Sequence, residues 1–276
     1  LKLDGKELVD VKYGGMIGGN RKAVKFKGEI PLSPESMDFG GDILIDLNKV
    51  NVSYRDKPIL KNINWIIRRG EFWELRGKNG SGKTTILTMI TGENPKGYGQ
   101  ELYIFGRKKG SGESIWDIKK NIGYFTPAMT DQFTGYHSVE SMIVSGLNDS
   151  IGLYVRPTEV QLRLAKQWLQ LIGLSEAKDR LFQDLSTGQK RLVMCARARV
   201  KHPPLLILDE PTAGLDDASA SLFVDLVNQF AEESRTTIVF VSHRKESGLE
   251  PQYVYELQMT PSGSIGQILK TENPTS

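Results

Sequence analysis

Apolar residues along this chain follow two spacings that alternate. In "ILIDLNKVNVSY" (43–54) they recur at every second position, the period of a half-buried strand. "ILKNINWIIRRGEFWELRG" (59–77) reads as two further strands broken at Arg69–Gly70. "KTTILTMITG" (83–92) changes to helical spacing and stops at Gly92, a residue suited to the left-handed turn after a helix. "PTEVQLRLAKQWLQLIGL" (157–174) opens on a capping box, Thr158 to Gln161, and carries an apolar stripe at Leu162, Ala165, Trp168, Leu169 and Ile172. "PLLILDEP" (204–211) and "TTIVFVSH" (236–243) are continuous apolar runs, as in buried parallel strands. Between them Leu222, Phe223, Leu226, Val227 and Phe230 mark one helix face.

Strands and helices thus alternate at both ends of the chain, around a mostly helical stretch at about 126–202. The pattern predicts an α/β fold with a parallel core sheet and an inserted helical subdomain. Residues 1–41 are rich in Gly, Pro and Lys and poor in periodic apolar positions, which predicts a linker or an extended arm ahead of one domain over 42–276.

Composition narrows the classes. The 276 residues allow one large domain, or a domain with a subdomain. A net charge of +3 is too small to imply a nucleic-acid partner. The single cysteine, Cys195, excludes a disulfide framework, suits a reducing compartment and reads as a small buried hydrophobe. No apolar run approaches the roughly 20 residues of a bilayer span, so direct membrane insertion is not expected and any membrane role would go through a partner. The start at Leu1 and the lack of a signal-peptide pattern suggest a fragment or processed product working inside the cell, in the cytoplasm or an organelle such as the mitochondrion.

Candidate chemistry begins at "GKNGSGKT" (77–84), a complete Gly-x-x-x-x-Gly-Lys-Thr loop between a strand and a helix. Gly77, Gly80 and Gly82 let the backbone curl so that its N–H groups, with those of Asn79, Ser81 and Thr85, face phosphate oxygens. Lys83 would reach the β- and γ-phosphates and the Thr84 hydroxyl would ligate Mg²⁺. "LLILDE" puts Asp209 at the end of a buried strand as a second Mg²⁺ contact, with Glu210 beside it to polarise the attacking water. His243, after the strand 236–241 and Ser242, stands where a γ-phosphate sensor would be useful. Tyr54 either stacks on adenine or packs as a strand aromatic. "DLSTGQKRL" (184–192) opens a helix on a capping box, Ser186 to Gln189, with Thr187 and Gly188 leaving the end bare.

The P-loop, "LSTGQ", "LLILDE", "GLD" at 214–216 and His243, in that order, resemble an ATP-binding cassette (ABC) ATPase domain over roughly 43–245. "GRKKGSGESIWDIKKNIGY", "NDSIGLY" and "QKRLVMCARARVKHPPLLILDEP" narrow the resemblance to the second cassette of tandem ABC ATPases of the molybdate-transport and photorepair type. The resemblance implies a P-loop NTPase fold with an antiparallel β subdomain, ATP and Mg²⁺ as ligands, and a second cassette as partner. It also implies that Ser186 and Gly188 cross a dimer interface to close over the opposing cassette's γ-phosphate, with Gln189 helping to fix the helix opening and Asp216 of "GLD" among the nucleotide-binding residues, so that one chain owns two half-sites. A membrane-spanning transporter partner follows from the same family.

Some positions depart from that pattern. Most cassettes carry a Gln after the strand matching "IGYF" (122–125); here Thr126, Pro127 and Ala128 stand there and Gln132 comes late, so the Gln function is expected to be absent. Arg76 replaces an apolar residue before the P-loop and, with Lys78, adds positive charge that faces either nucleotide or solvent. Lys190, Arg191, Arg197, Arg199 and Lys201 read as a solvated helix face. The missing Gln leaves a second reading open, a non-transport ABC switch or scaffold on nucleic acid or the ribosome. A GTPase is excluded, because "NKVN" (48–51) precedes the P-loop and lacks the Asp of a guanine-reading NKxD.

Overall fold

The alternating run at the start of the domain forms β1 (Ile43–Tyr54), which turns back at once into β2 (Lys57–Arg68). There follow β3 (Phe72–Gly77), α1 (Lys83–Ile90), β4 (Glu101–Ile104), β5 (Arg107–Lys108), α2 (Ile115–Lys119) and β6 (Ile122–Phe125). A run of helices comes next: α3 (Pro127–Asp131), α4 (Val139–Ser145), α5 (Glu159–Leu171) and α6 (Thr187–Arg199). The chain closes with β7 (Leu205–Asp209), α7 (Asp217–Glu233), β8 (Thr237–Ser242), β9 (Tyr253–Gln258) and β10 (Ile265–Lys270). This computed structural model describes residues 26, 29–32, 40–131, 133–233 and 236–270. Most of the arm expected over 1–41 lies outside them; Phe26 and Ile30 pack against the domain core.

Two sheets divide the strands. An antiparallel sheet has the order β2-β1-β4-β5, and a six-stranded sheet the order β10-β9-β3-β8-β7-β6. In the latter only β10 runs antiparallel to its neighbour. Its apolar strands are buried on both faces, and alternate residues serve different layers. Leu206, Leu208, Ile238 and Phe240 join the layer beneath α5, α6 and α7, whereas Leu205, Ile207, Val239 and Val241 join the layer shared with α1 and the second sheet. That is why these strands read as continuous apolar runs while β1, with one solvated face, alternates. The parallel core, the antiparallel subdomain and the helical layer agree with the expected class. No helix among the described residues is long and apolar enough to cross a membrane.

Local signals behaved as their chemistry dictates. The Thr158–Gln161 and Ser186–Gln189 capping boxes are both formed, and Gly92 follows α1 at φ 81°. Cys195 is buried, which pushes its thiol pKa up. One expectation fails: of the basic residues read as a solvated face of α6, only Lys190 stays half-exposed. Arg191, Arg197 and Arg199 are buried, as is Lys201 just beyond the helix. From Arg191 onward every residue of the helix is buried, with α4, β6, β7 and α7 packed against it. Arg197 Nε donates to Ser145 Oγ at 3.2 Å and to the Ser150 carbonyl at 3.1 Å. Lys201 donates to the Lys119 carbonyl at 2.9 Å and pairs with Asp149. Burial lowers the Arg197 and Arg199 guanidinium pKa values to about 10.

Candidate functional site

β3 delivers the chain to Gly77, and the loop that follows takes left-handed backbone at Gly80 (φ 82°) and Gly82 (φ 96°), where a side chain would be strained. A Cβ on Gly82 would also stand 2.6 Å from Leu60 Cδ2. α1 starts at Lys83 with no side-chain cap, so its first-turn N–H groups carry the positive end of the helix outward. Lys83 is buried, and its ammonium donates to the Gly77 carbonyl at 2.7 Å and lies 3.4 Å from Glu210 Oε1. Ser81 Oγ is buried and has no hydrogen-bond partner among the described residues. Asn79 and Thr84 are exposed and Thr85 half-buried.

The two acids end β7 on different terms. Asp209 continues the row Leu205, Ile207 toward α1, and its Oδ2 accepts a hydrogen bond from the Tyr124 hydroxyl at 3.1 Å. Burial raises its carboxyl pKa, and the neighbouring Glu210 charge adds to this; the Tyr124 bond and Lys83 act the other way. Glu210 leaves the strand at φ 47°, a conformation costing a non-glycine residue about 1–3 kcal/mol. Its N–H is held by the Val241 carbonyl at 3.0 Å. The strained turn swings the carboxylate between Lys83 and His243, whose Nδ1 is 4.0 Å from Oε2. Lys83, Glu210 and His243 therefore meet at the carboxyl edge of the parallel sheet, with Asp209 alongside.

Tyr54 is tied to this edge indirectly. Its hydroxyl accepts from Asn94 Nδ2 at 2.8 Å, Asn94 donates to Thr88 Oγ1 at 3.1 Å, and Thr88 donates to the Thr84 carbonyl at 2.7 Å. The ring itself stays partly exposed, with the Lys96 ammonium 5.7 Å from its centroid. Arg76 takes neither of the two directions considered for it. It turns back to the buried Glu74, with Nε 3.3 Å from Oε1, and Ser242 Oγ donates to the same carboxylate at 2.8 Å.

The signature residues lie apart from that cluster. Ser186 Oγ accepts from the Gln189 N–H at 3.3 Å and Gln189 Oε1 accepts from the Ser186 N–H at 3.1 Å. Among the described residues no hydrogen bond or ion pair joins 186–189 to the P-loop, Asp209, Glu210 or His243. Gly188 has a reason within its own chain: a Cβ there would stand 2.7 Å from Ser219 Oγ and 3.0 Å from Ser219 Cβ. Asp216 caps α7, its carboxylate accepting from the Ser219 N–H at 2.9 Å and hydroxyl at 2.8 Å. The backbone and side-chain bonds from Ser219 lower its pKa. Gln132 lies outside the described residues, whereas Pro127 is fixed through its carbonyl, which accepts from Arg191 Nη1 at 3.1 Å.

The family model described as ABC transporter matches residues 60–213, more than half of the chain. The chain belongs to the ABC transporter ATP-binding family. The chain is 42% identical over 230 residues to the ABC transporter ATP-binding protein ModF of Escherichia coli, an alignment taking in 83% of this chain and 46% of ModF. Against a Streptococcus mutans ABC transporter ATP-binding protein it is 32% identical, over 74% of this chain and 78% of that one. The structure of cbiO1 from Clostridium perfringens, part of the ABC transporter complex cbiONQ, superposes with a TM-score of 0.69 at 28% identity, covering 82% of this chain and 88% of the other. The chain thus spans less than half the length of ModF. It is an ATP-binding cassette of the transporter type.

The cassette's residues fit the family's ligands. The uncapped start of α1 and the unpartnered Ser81 hydroxyl suit phosphate oxygens. The exposed Thr84 and the Asp209 carboxylate supply the hard oxygen donors that Mg²⁺ takes. Three features of the cassette escaped sequence reasoning: the Tyr124–Asp209 bond, the Glu74–Arg76–Ser242 cluster and the strained Glu210 backbone. A tyrosine in "IGYF" on the strand beside "LLILD" was the available signal for the first; nothing in residue spacing marks the last.

Proposed function

We propose that the cassette hydrolyses Mg-ATP at an interface shared with a second cassette, as the ATP-binding component of a transporter-type system inside the cell. One observation carries this reading. The chain gathers Lys83, Asp209, Glu210 and His243 at one place, while among the described residues the exposed, Ser186-capped N-terminus of α6 has no bond to any of them. Each chain then brings a P-loop half and a signature half, and a triphosphate is enclosed only between two cassettes.

In that arrangement the P-loop N–H groups and Lys83 hold the β- and γ-phosphates, and the exposed ring of Tyr54 stacks on adenine. Thr84 and Asp209 would hold Mg²⁺, which would supply positive charge against the phosphate oxygens. Glu210 orients the attacking water and takes its proton, and His243 donates to the γ-phosphate. The second cassette presents Ser186, Gly188 and Gln189 with the positive end of α6, and Asp216 near the same seam. Phosphoryl transfer depends on positioned donors more than on covalent chemistry, so half of this set is a poor catalyst.

Thr126, Ala128, Met129, Phe133 and Ile151 line an apolar groove of about 410 Å³ between the loop after β6 and the helical layer. A groove of that kind supports docking of a membrane-spanning partner. The burial of Arg191, Arg197, Arg199 and Lys201 removes the basic face that a nucleic-acid role would have used. The test is ATP turnover per chain against protein concentration. It should rise with concentration and level off as pairs form; a rate independent of concentration and unaffected by loss of Ser186 would overturn the proposal.

A further inference from the structure

The end of β6 sends its last two side chains to opposite faces of the core sheet. Phe125 enters the layer under the helices, and Tyr124 lies against the layer that holds α1. On the adjacent parallel strand Tyr124 is in register with Ile207, and the row Leu205, Ile207, Asp209 occupies that same face. A tyrosine reaching two residues along the strands therefore meets Asp209, and its hydroxyl donates to Oδ2 at 3.1 Å. Phenylalanine would fill the ring's space equally well, so the hydroxyl is what needs an account.

We infer that Tyr124 is a positioning residue for the metal ligand Asp209, setting the carboxylate so that its other oxygen turns to the P-loop side. The inference rests on the proposed Mg²⁺ role of Asp209. Among the described residues Tyr124 is the only hydrogen-bond donor to that carboxylate. Without that bond the carboxylate rotates more freely, which weakens its hold on a cation. The arrangement matters more here because Thr126, Pro127 and Ala128 stand where most cassettes carry a Gln, and Pro127 is clamped by Arg191. Tyr124 is then the residue through which β6 serves the metal side of the site.

The experiment measures Mn²⁺ binding to the full chain saturated with ADP, by the electron-paramagnetic-resonance signal of free Mn²⁺, and fluorescent-ATP binding in EDTA. Tyr124→Phe should weaken Mn²⁺ binding about tenfold while leaving metal-free nucleotide binding unchanged. In an Asp209→Asn background the same change should have no further effect, a comparison that holds even if Tyr124→Phe also lowers thermal stability. Unchanged or tighter Mn²⁺ binding in Tyr124→Phe, or an equal loss in both backgrounds, overturns the inference. If Asp209→Asn itself leaves Mn²⁺ binding intact, the metal-ligand reading falls first and the inference with it.

Discussion

Glu210 shows how one residue's backbone can serve the chemistry of its side chain. At φ 47° it sits where glycine would be at ease, yet the carboxylate held between Lys83 and His243 needs that turn. Glu210→Gln keeps the shape and the backbone bond to Val241 but removes the proposed base; hydrolysis should fall about 100- to 10,000-fold with ATP binding retained within a few-fold. Steady-state turnover and nucleotide titration check this. Ser186 has one observed duty, capping α6, and one proposed duty at the partner's nucleotide, and a suitable substitution separates them. Aspartate caps a helix as well as serine does but would set a negative charge against the partner's γ-phosphate. Ser186→Asp should therefore keep thermal stability and lose turnover about 100-fold, whereas Ser186→Ala should lose about 1 kcal/mol of stability as well. Calorimetry beside an ATPase assay distinguishes them.

At the scale of elements, capping boxes and period changes were legible because they depend on neighbours a few residues away. The P-loop, β7 and the opening of α6 were legible for the same reason. What α6 touches was not: its arginines looked solvated because a helical projection shows angles and not what surrounds the helix. The segment after β5 gives a second example. Its "KKGSGE" run looks like a polar loop, yet Lys109 and Glu113 pair at 3.1 Å almost fully buried, with the Lys109 ammonium 4.8 Å from the Tyr98 ring centroid. The Gly110 and Ser111 N–H groups donate to the same carboxylate at 2.8 and 2.9 Å. Burial alone would raise the Glu113 pKa, but the Gly110 backbone bond, the residue's own N–H and Lys109 outweigh it and bring it to about 2. A carboxyl depressed on folding stabilises above its unfolded value and loses that contribution as pH falls through the folded one. Wild type should thus unfold well above Glu113→Gln at neutral pH, by about 3 kcal/mol for a broken buried pair, with the gap closing as pH drops from 4.5 toward 2. Denaturant midpoints across that range are the check.

Over the whole molecule, the sheet edge collects Lys83, Asp209, Glu210 and His243, the groups proposed to hold and attack a triphosphate, while the helical layer carries the α6 end proposed to serve a partner's nucleotide. Sequence order suggested two halves, and the lack of any bond between them among the described residues is a property of the fold. The central claim is shared ownership of the nucleotide, and mixing two inactive variants tests it directly. Lys83→Ala loses the P-loop half and keeps the signature half; Ser186→Asp does the reverse. Each alone should be inactive, and an equimolar mixture should recover turnover, because one pairing in the mixed dimer restores a whole site. A mixture no more active than its components, or Ser186→Asp fully active by itself, would contradict the account.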